Sequence, residues 1–152
     1  LSLASDVLYG RASAFFNDLY SEGLISQNFG SWSECNRAFS FVIWSGDSSD
    51  PAQVRSRLQQ TAIQAAKEGL DPADFERCRR VLYASLVRCF DSTAEIANNF
   101  MNFIFDGADL FDYVDLLAKL KVEEVNAIWR RVVDPSRFAM ATVLPFSDKE
   151  EV

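Results

Sequence analysis

At 152 residues, about half of them apolar and thirteen of them Phe, the chain has the size of one ordinary domain. Such a domain buries about 70% of its unfolded surface and holds a conventional core without staples. A net charge of −7 without a large basic patch argues against nucleic-acid binding, which concentrates positive charge to displace counterions from phosphate. Histidine is absent from the sequence, which removes Ser-His-Asp and Cys-His nucleophile activation, His-ligated zinc and imidazole acid–base chemistry in one step.

The apolar residues Leu3, Val7, Leu8, Ala12, Phe15, Phe16 and Leu19 recur at three- and four-residue spacing, the period of a buried helical face. Gly10 is placed to break or kink this stretch, and Gly23 to end it. Two short β-like runs follow, "NFGSWSE" and "RAFSFVIWSG". In the second, Phe39, Phe41 and Ile43 alternate with Ala38, Ser40 and Val42, as in a half-buried strand. The short connection around Cys35 and Asn36 predicts an antiparallel pair.

From Asp50 the pattern turns helical. Asp50-Pro51 and Asp71-Pro72 each offer an acid at the N-cap and proline at the first helical position. The first of these helices carries Val54, Leu58, Ala62 and Ala65 on one face and is closed by Gly69. The second carries Phe75, Cys78, Leu82, Leu86 and Cys89. Ser92 with Glu95 predicts a capping box for a third helix, with Ile96, Phe100, Phe103 and Ile104 inside and Gly107 at its end. "DLFDYVDLLAKL" and "VEEVNAIWRRVV" predict two more helices, the last stopped by Asp134-Pro135. "RFAMATVLP" reads as a strand, and residues 146–152 as an acidic, frayed tail. The order is helix, two strands, a run of helices, strand. It predicts an α+β fold, a mostly antiparallel sheet with helices packed on one face, as a single domain over residues 1–145. Three strands are few for so many helices, and the sequence opens within what reads as a helix. The expectation is a fragment or excised domain with partner strands upstream. No signal-peptide pattern opens the sequence, and no apolar run approaches the ~18 residues that span a bilayer, so no membrane partner is expected.

Candidates for chemistry are sparse. Cys35, Cys78 and Cys89 form no C-x-x-C pair. On one continuous helix Cys78 and Cys89 would be separated by about 16 Å of rise, beyond the roughly 7 Å between Cα atoms that a disulfide bridges. Buried thiols in a reducing compartment, hence a cytoplasmic location, are expected; Arg77 and Arg79 beside Cys78 are the only electropositive setting for a reactive one. Asp106, Asp109, Asp112 and Asp115 recur every three residues without EF-hand spacing and read as a solvated face, so no metal is assigned to this chain. Glu123-Glu124 favours the macrodipole at a helix start. Trp32, beside Gly30 on a possible edge strand, marks a place where an extended peptide could approach. The residues alone describe an α+β domain without visible catalytic apparatus.

"LYGRASAFFNDLYSEGLI" resembles the segment G-x-x-S-x-L-[FY]-x-x-L-R-E-x-x-G-L-x-Y of insulinase-type (pitrilysin-like) zinc peptidases, through Gly10, Ser13, Phe16, Leu19, Glu22, Gly23 and Leu24. In family order come "SGDSSDPAQV", "EGLDPADFERCRRVLYASLV", "STAEIANNFMNFIFDG", "KVEEVNAIWRRVV" and a closing strand, so the similarity runs from about residue 3 to 145. The resemblance implies repeated α+β domains enclosing a peptide cleft. An N-terminal part carries H-x-x-E-H and a downstream glutamate, which bind zinc and activate water. A C-terminal domain like this one supplies the opposite wall, where an Arg and a Tyr of the segment bind substrate or stabilise the oxyanion. Here Tyr20 stands at the arginine position, and the tyrosine position falls at Ser26 or Gln27. A tyrosine donates a hydrogen bond but lacks the permanent charge and bidentate fork of arginine. Bacterial families of this type often encode paired members, one with the zinc motif and one without it.

The resemblance therefore implies a non-catalytic C-terminal cleft and packing domain of an insulinase-like metallopeptidase. Its alternative is a scaffold subunit that pairs with a catalytic homologue. Zinc is expected in an N-terminal part, and the expected partners are that part or a homologous subunit, and peptide substrate. Tyr20, Arg11 and Trp32 are the candidate cleft contacts.

Overall fold

The opening apolar stretch folds as two helices rather than one, α1 (Ser2–Tyr9) and α2 (Ala14–Ser21). This computed structural model describes residues 1–35, 38–105 and 107–145; Asn36, Asp106 and the acidic tail expected at 146–152 lie outside the described residues. The break falls at Gly10, where a Cβ would clash with the Asp6 carbonyl oxygen. Only a residue without a side chain lets the backbone turn this tightly against the preceding helical turn. Ser13 then restarts the helix, its Oγ accepting from the Phe16 N–H at 3.1 Å.

Two strands follow, β1 (Gly30–Cys35) and β2 (Ser40–Ser45). They pair antiparallel, with Trp32 opposite Ile43, Glu34 opposite Phe41, Ser31 opposite Trp44 and Ser33 opposite Val42. Directly opposed residues share a face of the sheet. Val42 and Trp44 therefore turn toward the helices, and Trp32, Phe41 and Ile43 turn away from them. On the inner face Trp44 meets the Tyr9 ring edge-on at 5.0 Å, and its Nε1 donates to Ser5 Oγ at 3.1 Å.

The helical part comprises α3 (Pro51–Glu68), α4 (Pro72–Arg88), α5 (Thr93–Phe105), α6 (Leu110–Lys119) and α7 (Val122–Val132), with single 3-10 turns at Cys89–Asp91 and Pro135–Arg137. Their starts follow the sequence signals. Asp50 accepts from the Gln53 N–H, and Asp71 accepts from the Ala73 and Asp74 N–H groups. Asp109, read from the sequence as one of a solvated row, is the N-cap of α6, accepting from Phe111 and Asp112. Glu124 accepts from the Lys121 N–H at 2.9 Å.

One apolar core joins Leu3, Val7, Phe15, Leu19, Ala62 and Trp129 with their neighbours. Polar groups buried in it are matched: Tyr9 Oη donates to the Leu58 carbonyl at 3.0 Å, and Trp129 Nε1 to the Ala62 carbonyl at 3.2 Å. α1 lies between β1 and α4, and α4 continues the layer onto α6 and α7. The arrangement is α+β, with helices on one face of an antiparallel sheet.

Three expectations are corrected. Residues 138–145 form no strand; the segment leaves the Pro135–Arg137 turn in a non-helical run that makes no backbone hydrogen bonds among the described residues, where no strand lies beside it to complete a ladder. The apolar face of α5 is not core: none of its residues is buried, and Ile104 is exposed. Its Phe100 and Phe103 rings meet Phe111 and Tyr113 of α6. Of the three cysteines, Cys78 and Cys89 are buried but Cys35 is exposed, at the strand end nearest the β1–β2 connection. Among the described residues, no helix is long and apolar enough to cross a membrane.

Candidate functional site

Tyr20 sits in the last turn of α2, and Arg11 in the break before that helix. The loop after α2 returns between them. Gly23, at φ +70°, adopts the left-handed conformation that glycine tolerates without strain and turns the chain back toward Arg11. Gln27, in this returning loop, joins the two candidates. Its Nε2 donates to Tyr20 Oη at 3.1 Å, and its carbonyl accepts from Arg11 Nη2 at 3.0 Å. The Tyr20 ring stacks on Phe16 at 5.9 Å, yet the residue remains 44% exposed. The structure thus brings Arg11, Tyr20 and one of the two positions at which the family tyrosine would fall onto one surface patch.

Chemically this patch carries one guanidinium with several N–H donors left over after the Gln27 contact. It also carries a phenolic oxygen that already accepts one hydrogen bond and can donate its own proton. It can bind a carbonyl or carboxylate. It supplies no base and no nucleophile.

Trp32 is in a different place. It is 56% exposed on the helix-free face of the sheet, where it meets Phe41 at 5.4 Å, and Phe41 in turn stacks on Phe39 at 5.7 Å. With Ile43 these side chains form an apolar ladder facing away from the helices. The alternation of Phe39, Phe41 and Ile43 was visible in the sequence; that this side of the sheet is the uncovered one was not, because period two identifies two faces without saying which is core.

The Cys78 thiol is pushed upward by burial, which outweighs the neighbouring Arg77 guanidinium; it is a packed thiol, not an activated one. The strongest carboxylate perturbation, at Glu76, is structural too. Hydrogen bonds from Arg79 and Arg80 lower its pKa to about 2, and Arg79 also donates to the Leu117 and Ala118 carbonyls at 3.0 and 2.7 Å, tying α4 to the end of α6.

The chain has no histidine, and among the described residues no three of Cys, Asp and Glu come together as a metal would require.

No protein-family model matches the sequence. A protein from Alicyclobacillus acidocaldarius described as an M16-like peptidase superposes with a TM-score of 0.78 at 23% identity, over 84% of this chain and 31% of that one. The fold is that of an M16-like peptidase domain. A second match, to a protein from Bordetella pertussis Tohama I described as a zinc protease, has a TM-score of 0.70 at 15% identity and covers 89% of this chain and 77% of that one. In sequence, the domain is 25% identical over 147 residues to the uncharacterized zinc protease YmfH of Bacillus subtilis. It spans 97% of itself but about a third (34%) of that relative's length. Together the matches fit the C-terminal domain of an insulinase-type peptidase that the opening motif implied.

Proposed function

We propose that this chain is a non-catalytic C-terminal domain of an insulinase-like zinc metallopeptidase and forms one wall of its peptide cleft. The observation that carries this reading is the apolar ladder of Trp32, Phe41 and Ile43 on the side of the sheet that no helix covers. An extended polypeptide laid on such a face buries apolar side chains without a fixed sequence, as a peptidase that accepts unstructured peptides requires. Arg11 and Tyr20 supply a second patch for peptide carbonyls or a terminal carboxylate. Zinc and the water-activating glutamate belong to the N-terminal part of the parent protein or to a homologous subunit, which is also this domain's packing partner. The setting is a bacterial cytoplasm.

A second reading has its own support. Tyr20 replaces the family arginine, and its hydroxyl is engaged by Gln27, which favours a scaffold subunit that pairs with a catalytic homologue. Combining the domain with a zinc-bearing N-terminal half and following cleavage of an unstructured peptide separates the two. In a cleft wall, Trp32→Ala raises KM by roughly three- to tenfold, the range for losing one aromatic contact, while the unfolding midpoint stays put because the side chain is exposed. Tight association with cleavage indifferent to Trp32→Ala and Tyr20→Ala would instead identify the scaffold.

A further inference from the structure

The outward face of the sheet carries a charge among its apolar residues. Glu34 stands directly opposite Phe41, which puts its side chain on the face of Trp32, Phe41 and Ile43. It is half-buried there, and among the described residues it joins no ion pair. Glutamate is depleted from strands, and opposite Phe41 it gains neither an aromatic pair nor an opposite charge across the ladder. Two rings border it. Trp32 is its same-face neighbour on β1 and Phe41 its cross-strand neighbour, and these rings meet at 5.4 Å with their planes 64° apart. Same-face residues of one strand lie about 6.6 Å apart and opposed residues about 5 Å apart, so the carboxylate and both rings share one spot of surface.

We propose that this spot takes a lysine or arginine side chain of an extended peptide, so that Glu34 makes the face selective for segments with a basic residue two positions from an apolar one. The proposal rests on the cleft-wall reading and names its substrate class. A basic side chain matches all three groups at once. Its methylene stem covers ring surface, its cation is attracted by the faces of Trp32 and Phe41, and its charge pairs with the Glu34 carboxylate. A glutamine gains no charge pairing there, and a glutamate is repelled. In an extended peptide, residues two apart face the same way at about 6.6 Å, the same-face spacing of Glu34 and Trp32 along β1. A basic residue at Glu34 therefore sets the residue two positions away against Trp32 and Ile43, which oppose each other and take an apolar side chain. The net charge of −7 draws cationic peptides to the chain at large; Glu34 fixes where along the ladder the cation sits.

Peptide binding to the full polypeptide encoded by the reading frame tests it, followed by fluorescence anisotropy with a chelator present so that the peptides stay intact. Three labelled, unstructured peptides differ at one position, carrying Phe-Ser-Lys, Phe-Ser-Gln or Phe-Ser-Glu. The expected result at low salt is that the Lys peptide binds about five- to tenfold more tightly than the Gln peptide, the range for one partly exposed ion pair with a cation–π contact. Glu34→Gln should bring that ratio to about one by weakening the Lys peptide alone, and Glu34→Lys should turn the preference toward the Glu peptide. A wild-type ratio near one overturns the proposal. So does a ratio that survives Glu34→Gln, which would assign the preference to the overall charge. Equal weakening of all three peptides by Glu34→Gln would show a merely structural role and overturns it as well. In each of these cases the cleft wall stands if Trp32→Ala weakens every peptide. Binding indifferent to Trp32→Ala removes the cleft wall, and this proposal with it.

Discussion

Asn126 on α7 holds the turn between α3 and α4. Its Oδ1 accepts from the Leu70 N–H at 2.9 Å, and Leu70 is buried, so truncation to alanine strands a donor that little water can reach. An orphaned buried donor costs about 1–3 kcal/mol. Alanine's better helix propensity returns up to about 0.7 kcal/mol, because position 126 lies inside α7. The expected net loss for Asn126→Ala is about 1–2 kcal/mol, read in urea unfolding followed by tryptophan fluorescence as a midpoint lower by about 0.5–1 M. Asn126→Asp keeps an acceptor and should retain most of the stability. Gly69 adds an internal check: at φ +92° a Cβ there would lie 2.9 Å from Asn126 Nδ2. Gly69→Ala should therefore cost less in the Asn126→Ala background than in wild type, while its backbone strain persists in both. A midpoint for Asn126→Ala equal to wild type, or strict additivity with Gly69→Ala, would refute the claim that this side chain pins the turn.

Two further outcomes follow from charge and exposure. Glu76 has a folded pKa of about 2, below the ordinary glutamate value near 4.3; its contribution is complete above about pH 4.5 and is lost as the pH falls toward 2. Glu76→Gln should flatten the fall in urea midpoint over that window, and an unchanged acid limb would contradict the pairing with Arg79 and Arg80. In the native state a thiol reagent should label Cys35 rapidly, and Cys78 and Cys89 only on unfolding; fast labelling of Cys78 would mean that its burial is not maintained in solution.

Much of the fold was legible because its signals are local. Asp50-Pro51 and Asp71-Pro72 state where helices start, since the cap and the missing proline N–H both act within one turn. Alternation at Phe41 and Ile43 states a strand by the same short-range logic. What failed is what depends on a neighbour. Residues 138–145 have strand composition, but a strand is a paired object and these residues have no pair among the described ones. The apolar stripe of α5 says which side avoids water without naming what covers it, and among the described residues α6 covers it only in part. The candidate patch was half legible: Tyr20 and Ser26 or Gln27 followed from motif alignment, but the closing of Gln27 onto both Arg11 and Tyr20 depends on the turn at Gly23, whose effect three residues later no spacing rule conveys. Trp32 was singled out from its place beside Gly30, but its exposure depends on which face of the sheet the helices cover.

Among the described residues β2 pairs with β1 alone, and its other edge sets how this chain behaves at high concentration. The run "SFVIWS" contains no charged residue and no proline, the residues with which natural proteins discourage sheet-to-sheet addition at exposed edges. Its aromatic and β-branched content is that of segments that stack into intermolecular sheets. Produced without its neighbours, the domain carries its own nucleation site for aggregation. A single gatekeeper charge at Ile43, which is exposed on the outward side, would be the smallest change that keeps it soluble.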